Sequence, residues 1–135
     1  MRKWRLEHKS DFYKTLEAWW KDWGFPTLPY HSVPNKIFVC YHETKEESID
    51  LYALPVYSSD VALCWIGFPT GNKSASRELK EGALDYLMDK VETAVKYEGY
   101  KTIITTSNTP KLMKLFNDRG FTTSDEGVNY YTKIL

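Results

Sequence analysis

The residues with the clearest capacity for chemistry lie between Pro69 and Gly82, in the run PTGNKSASRELKEG. Its first eight residues are turn formers and small polar side chains, ending with Ser76 placed to cap a helix and followed by Arg77. A helix start of this kind leaves backbone N–H groups without intrahelical partners and carries about half a positive charge, so it can hold a phosphate. Lys73, Arg77 and Lys80 would add charge there. The same composition also suits an ordinary strand-to-helix connection with no ligand, because Ser, Gly and Asn are what loops contain. Gly82, read as lying inside the helix, costs about 1 kcal/mol against alanine, a cost that close approach of a ligand would offset.

Other reactive side chains are scattered. His8, His31 and His42 share no ligand-like spacing, and a lone histidine is more often structural than catalytic. Cys40 and Cys64 sit in apolar strand patterns and fit no metal or redox spacing. They read as buried thiols in a reducing compartment rather than as a disulfide or nucleophiles. Asp60 reads as a turn residue. No metal site is expected.

The loop is positioned by the elements on either side. VALCWIGF, residues 61 to 68, is an apolar run suited to a buried strand. From Arg77 the period changes: Leu79, Ala83, Leu87, Val91 and Ala94 with Val95 recur every three or four residues, with Glu78, Glu81, Asp85, Asp89 and Glu92 elsewhere. The spacing predicts one long helix over 76 to 97, stopped by Gly99. Lys101 to Ser107 is a β-branched strand, and Thr109 with Pro110 make a cap and first-turn pair for a second helix. That helix should end at Arg119, with Gly120 left-handed and Phe121 touching Phe116.

In this succession the chain resembles the GNAT superfamily of acyl-CoA N-acyltransferases. RELKEG, Arg77 to Gly82, matches the first and last positions of that family's phosphate-loop pattern Q/R-x-x-G-x-G/A, with Lys80 where the first glycine is expected. NTPKLMKLFNDRGF, Asn108 to Phe121, looks like the family's last helix and its terminal Gly-Phe. The resemblance implies a diphosphate on the N–H groups around Ser76 to Gly82. It also implies pantetheine between the strands 61–68 and 102–107, held by main-chain groups of the Trp65–Phe68 edge, Ile66 and Phe68 among them. Asn108 and Thr109 lie where the family often places a cofactor contact. Phe116 occupies the position at which many members carry the tyrosine that protonates the leaving thiolate. Ser107, Tyr130 and Tyr131 are the alternative proton donors.

The N-terminal half reads as an antiparallel meander with a helix inserted. Trp4 and Leu6 start a strand, and Ser10 and Asp11 open a helix with Phe12, Leu16, Trp19, Trp20 and Trp23 on one stripe, ended by Gly24. The stripe suits packing on a sheet, with Trp20 placed to reach a pocket rim. FPTLPYHSVPN, residues 25 to 35, holds three prolines and is a loop. In GNAT-like proteins this connection commonly covers the acceptor, which makes Tyr30 and His31 candidates for substrate contact, or simply solvated loop residues. Lys36 to His42 and Ile49 to Tyr57 are paired strands, and Pro55 argues for an edge or a bulge. After Phe121, Asp125 to Gly127 should turn two final strands into a hairpin.

Composition sets the remaining bounds. The 135 residues are expected to form a single domain over 1 to 135. Eighteen basic and eighteen acidic side chains cancel, which disfavours nucleic acid and membrane surfaces as partners. No apolar run has spanning length and the N-terminus has no signal-like core, so a cytoplasmic location is expected. Aromatics make up 16% of the chain, enough to fill a small core and to line ligand slots. The expected fold is α+β and GNAT-like: a mixed, mostly antiparallel, splayed sheet of six to seven strands flanked by about three helices. The resemblance implies acetyl transfer from acetyl-CoA to a primary amine of a small molecule or peptide. The alternative is a degenerate GNAT-fold protein that binds CoA or a protein partner without catalysis. A homodimer, paired through the final hairpin, is a further expectation.

Overall fold

The computed structural model describes residues 1–107, 109–129 and 131–135. Alternating charged and apolar residues in RKWRLEH make β1 (Arg2–His8) an edge strand. The chain turns directly into α1 (Lys9–Trp23), one or two residues earlier than Ser10 and Asp11 suggest, because His8 is the cap: its Nδ1 accepts the Ser10 N–H at 3.1 Å. Gly24 closes the helix at φ +72°, and the Phe25 N–H returns to the Trp20 carbonyl at 2.8 Å. A single 3-10 turn at Tyr30–Ser32 interrupts the proline-rich loop.

β2 (Lys36–Glu43) and β3 (Ser48–Tyr57) complete the meander with β1. Then follow β4 (Leu63–Ile66), β5 (Thr70–Gly71), α2 (Arg77–Lys80), α3 (Ala83–Tyr97), β6 (Thr102–Ile104) and α4 (Pro110–Asp118). Strand order is β1-β2-β3-β4-β6, with β5 also on β3, and only the β4–β6 pair is parallel. The architecture is α+β with a six-stranded, mostly antiparallel mixed sheet. One face carries α1, whose Phe12, Leu16, Trp19 and Trp20 pack on Ile37, Val39 and Ala53. The other carries α3 and α4 over Phe38, Leu54, Val56, Cys64 and Ile66. Among the described residues no helix is long and apolar enough to cross a membrane.

A bulge separates β4 from β5. Val56 pairs with Ile66, and Ala53 with Thr70. Between these pairs β3 spends Leu54 and Pro55, while the opposing chain spends Gly67, Phe68 and Pro69. The extra residue inverts the alternation, so Ile66 lies in the α3-side core while Thr70 meets Trp20 beneath α1. Pro55 is therefore tolerated in an interior strand. Its carbonyl accepts the Gly67 N–H at 2.8 Å, and its missing donor falls on that same, irregular side.

Two expectations are corrected. The single helix over 76 to 97 is broken at Gly82, which takes φ +72° between α2 and α3. The cause is remote: Arg2 Nη2 bonds the Leu79 and Glu81 carbonyls at 3.3 and 2.7 Å, occupying acceptors that a continuous helix would need. The final hairpin is absent among the described residues. The chain bends at Glu126 and Gly127, but neither flank forms a strand, and Val128, Tyr131, Ile134 and Leu135 are exposed. FTTSDEG offers one apolar side chain, too little to hold a strand against the sheet.

Candidate functional site

The parallel ladder between β4 and β6 runs through Leu63–Thr102, Cys64–Ile103 and Trp65–Ile104 and then stops. The last tie is a side chain, the Thr105 hydroxyl donating to the Ile66 carbonyl at 3.1 Å. Beyond it the chain follows β3 instead, drawn by the Gly67–Pro55 hydrogen bond. Glycine at 67 permits this approach, because a Cβ would come within 3.0 Å of the Pro55 ring and 3.3 Å of Tyr57 and would have to push them aside. Among the described residues, the next amide, that of Phe68, finds no acceptor. An unpartnered backbone donor thus sits where the ladder ends.

A second group of donors lies at the α2–α3 elbow. Ser76 caps α2 by accepting the Leu79 N–H at 3.2 Å. Gly82 opens α3 with no side-chain cap, and Tyr86 is the first residue to donate back, to the Gly82 carbonyl at 3.1 Å. The amides of Ala83, Leu84 and Asp85 are therefore outside the helix ladder, on the positive end of a 15-residue dipole. Among the described residues, free amides therefore occur at both helix starts, Arg77 and Glu78 on α2 and Ala83 to Asp85 on α3. Gly82 is not a tolerated interior glycine. Its positive φ is what turns α3 away from α2.

Basic side chains converge nearby. Half-buried Lys80 packs over Trp23 at 5.6 Å, and Lys73 over the same ring at 5.2 Å while bonding the Asp22 carbonyl at 3.1 Å. Burial, and then the charge of Lys111, push the Lys80 ammonium below its usual range. Lys111 of α4 is thus a second cation whose field reaches Lys80, and a bound anion would stabilise both. Sequence reasoning missed Lys111. Its signal was a cation in the first turn of a helix, where the dipole disfavours one. Arg77 is exposed and makes no ion pair among the described residues.

The other expected site residues are dispersed. Ser107 and Thr109 are linked by the Thr109 N–H to Ser107 Oγ, at 3.1 Å, leaving the Ser107 hydroxyl proton free to be donated. Asn108 and Tyr130 lie outside the described residues. Tyr131 is 91% exposed, with no strand to bring it to the slot. The Ile66 side chain is core, and its carbonyl is taken by Thr105. Phe116, at the position where the resemblance expects a tyrosine, is 6% exposed and packs against Phe121 at 5.2 Å, whose N–H bonds its carbonyl at 2.9 Å. Trp20 is also enclosed. Its ring is buried and its Nε1 donates to Thr70 Oγ1 at 3.1 Å, so it cannot line a rim.

Tyr30 sits beside Tyr13 and Lys9, near the opposite end of α1 from Trp23. His31 is exposed on the same turn. The rim is formed by Trp23 and Phe25, which the sequence did not single out as site residues, together with Phe68, which it did. Trp23 donates Nε1 to the Gly71 carbonyl at 2.8 Å and stacks on Phe25, which meets Phe68 edge-on at 5.6 Å.

Solved structures share this fold. An aminoglycoside acetyltransferase from an uncultured soil metagenomic sample, in complex with sisomicin, aligns over 99% of this chain and 97% of its own, with TM-score 0.68 at 13% identity. The fold is GNAT-like. A GNAT-family acetyltransferase from Streptococcus pneumoniae (TM-score 0.66, 13% identity, 99% and 100% covered) resembles it equally. So does an aminoglycoside N-acetyltransferase in complex with CoA (TM-score 0.63, 11% identity, 99% and 96% covered). No family model matches the sequence. No curated protein matches it either. On this GNAT-like frame, two surface concavities lie away from the elbow. One of about 540 Å³ runs along β6 and the end of α3, lined by Val95, Tyr100 and Ile103, and one of about 370 Å³ lies between β1 and α3. The first flanks the side of β6 that no strand covers among the described residues, so its size follows from the sheet ending there.

Proposed function

We propose that this chain transfers an acetyl group from acetyl-CoA to a primary amine. The observation that carries the reading is the end of the β4–β6 ladder at Trp65–Ile104, with the free Phe68 amide just beyond it. A thioester laid in that gap would find a donor for its carbonyl, and the elbow amides with Lys80 and Lys111 would hold the diphosphate. The neutral amine attacks the carbonyl carbon, the carbon–sulfur bond breaks with its electron pair going to sulfur, and the amine proton passes to solvent or a nearby base. Ser107, whose Oγ accepts the Thr109 N–H, is the hydroxyl we assign to relay a solvent proton to the thiolate.

Phe116, which has no proton to give, favours a second reading in which the chain binds CoA or a partner without turnover. A melting assay tests the first step, since acetyl-CoA at 100 times its Kd adds about 2.7 kcal/mol of stability. Thiol release on a panel of amines tests the second. Stabilisation without release selects the non-catalytic CoA-binding reading, and no stabilisation removes both acetyl transfer and CoA binding.

A further inference from the structure

The aromatic wall at the mouth of the ladder gap identifies the acceptor more closely. Trp23, Phe25 and Phe68 form one continuous surface, Trp23 stacked on Phe25 at 6.2 Å and Phe25 edge-on to Phe68 at 5.6 Å. They remain 40, 39 and 43% exposed, a contiguous apolar patch where the core could have absorbed single rings. Trp23 is fixed on all sides: its indole N–H is held by Gly71, one face lies on Phe25, and Lys73 and Lys80 pack on the ring. Phe25 and Phe68 keep the open ring surface. Phe68 is also the residue whose amide is free, so this surface adjoins the proposed site of acyl transfer.

Lys73 and Lys80 pack on the Trp23 ring, and of the two Lys80 belongs to the proposed diphosphate site. A polyamine or an aminoglycoside would bring several positive charges against Lys73, the cation of the wall not assigned to the diphosphate. A single amine on a flat apolar body gains ring contact instead, and neighbouring ammonium groups lower its pKa and favour the neutral, nucleophilic form.

We infer that the acceptor is a monoamine carried on an aromatic body, seated on Phe25 and Phe68 with its amine turned to the thioester. The inference rests on the acetyl-transfer reading. Thiol release is measured with phenethylamine, spermidine and sisomicin, for the parent chain and for Phe25→Ala and Phe25→Tyr. The expected result is a kcat/KM for phenethylamine at least tenfold above the two polycations. Phe25→Ala should raise the phenethylamine KM about tenfold with the acetyl-CoA KM unchanged, and Phe25→Tyr should restore it. Preference for spermidine or sisomicin, or a phenethylamine KM indifferent to Phe25→Ala, overturns the inference while leaving acetyl transfer standing. If no amine releases thiol, acetyl transfer fails. The wall is then judged by calorimetric titration of phenethylamine into the CoA-saturated protein, where binding lost in Phe25→Ala supports it and absent binding overturns it.

Discussion

Replacing Gly82 with alanine tests the elbow directly. At φ +72° an L-residue carries about 1–2 kcal/mol of strain, while the added Cβ meets only the mobile end of Arg2 at 3.4 Å, an ordinary contact. Alanine is also about 1 kcal/mol better than glycine inside a helix. The substitution therefore shifts the balance by about 2–3 kcal/mol toward one unbroken helix through 77–97. Opposing it are the two Arg2 hydrogen bonds to the Leu79 and Glu81 carbonyls, worth about 1–1.5 kcal/mol each because one is long and the other solvent-exposed. These terms are comparable, so Gly82→Ala is expected to lose about 1–2 kcal/mol of stability and to populate a form in which the Ala83 to Asp85 amides are taken up by the helix.

Acetyl-CoA should bind at least tenfold more weakly, measured by calorimetry, with the helical signal in circular dichroism unchanged or increased. Gly99→Ala is the control: Gly99 has φ +99° and nothing within 4 Å, so it should cost similar stability without touching affinity. D-alanine at 82, which prefers positive φ, should restore binding. If Gly82→Ala binds acetyl-CoA within twofold of the parent, the elbow amides are not the anion site.

Three further outcomes are expected. Phe116→Tyr places a hydroxyl in the α3–α4 core and should cost about 1–3 kcal/mol in urea unfolding with no gain in turnover; a tenfold gain would mean that the ring edge reaches the slot after all. Arg119 joins α4 to α3 through Asp85, Asp89 and Glu92 at 2.6, 2.5 and 2.6 Å, and although burial opposes its charge these bonds raise its pKa. Arg119→Met should therefore cost about 1–2 kcal/mol, and less at high salt, whereas a loss below about 0.3 kcal/mol would show the cluster to be idle. Burial pushes the Cys40 thiol up to about 11 from 9.0, so the unfolded thiol ionises first. Stability from this group is intact below pH 9 and is lost between pH 9 and about 11. Cys40→Ala should show a shallower alkaline decline in unfolding midpoint than the parent, and parallel declines would refute the assignment.

Local signals were legible wherever cause and effect lie close in the chain. Ser76 as a cap, Gly24 and Gly120 as helix stops, and the Phe116–Phe121 contact depend on neighbours within one or two turns. The break at Gly82 was not legible, because the residue that enforces it, Arg2, lies 79 positions from Glu81 and belongs to another element. The stripe on α1 showed that its tryptophans face one way. Which of them reaches the rim depends on where the sheet ends beneath the helix, so Trp20 was buried over Thr70 and Trp23 fell past the edge to the lysines. Lys111 acts on Lys80 from a distant part of the chain, which no spacing encodes.

The odd residue opposite Leu54 and Pro55 has a consequence for how a ligand would be met. Ile66 is anchored under one layer and Thr70 under the other, so the strand between them is pinned at both ends with contrary facing. To zip further along β6 it would have to surrender one anchor and expose a buried side chain. The cleft is thus held ajar by two cores pulling on one ribbon. A donor arriving there would meet a vacancy already shaped, with little reorganisation left to oppose its entry.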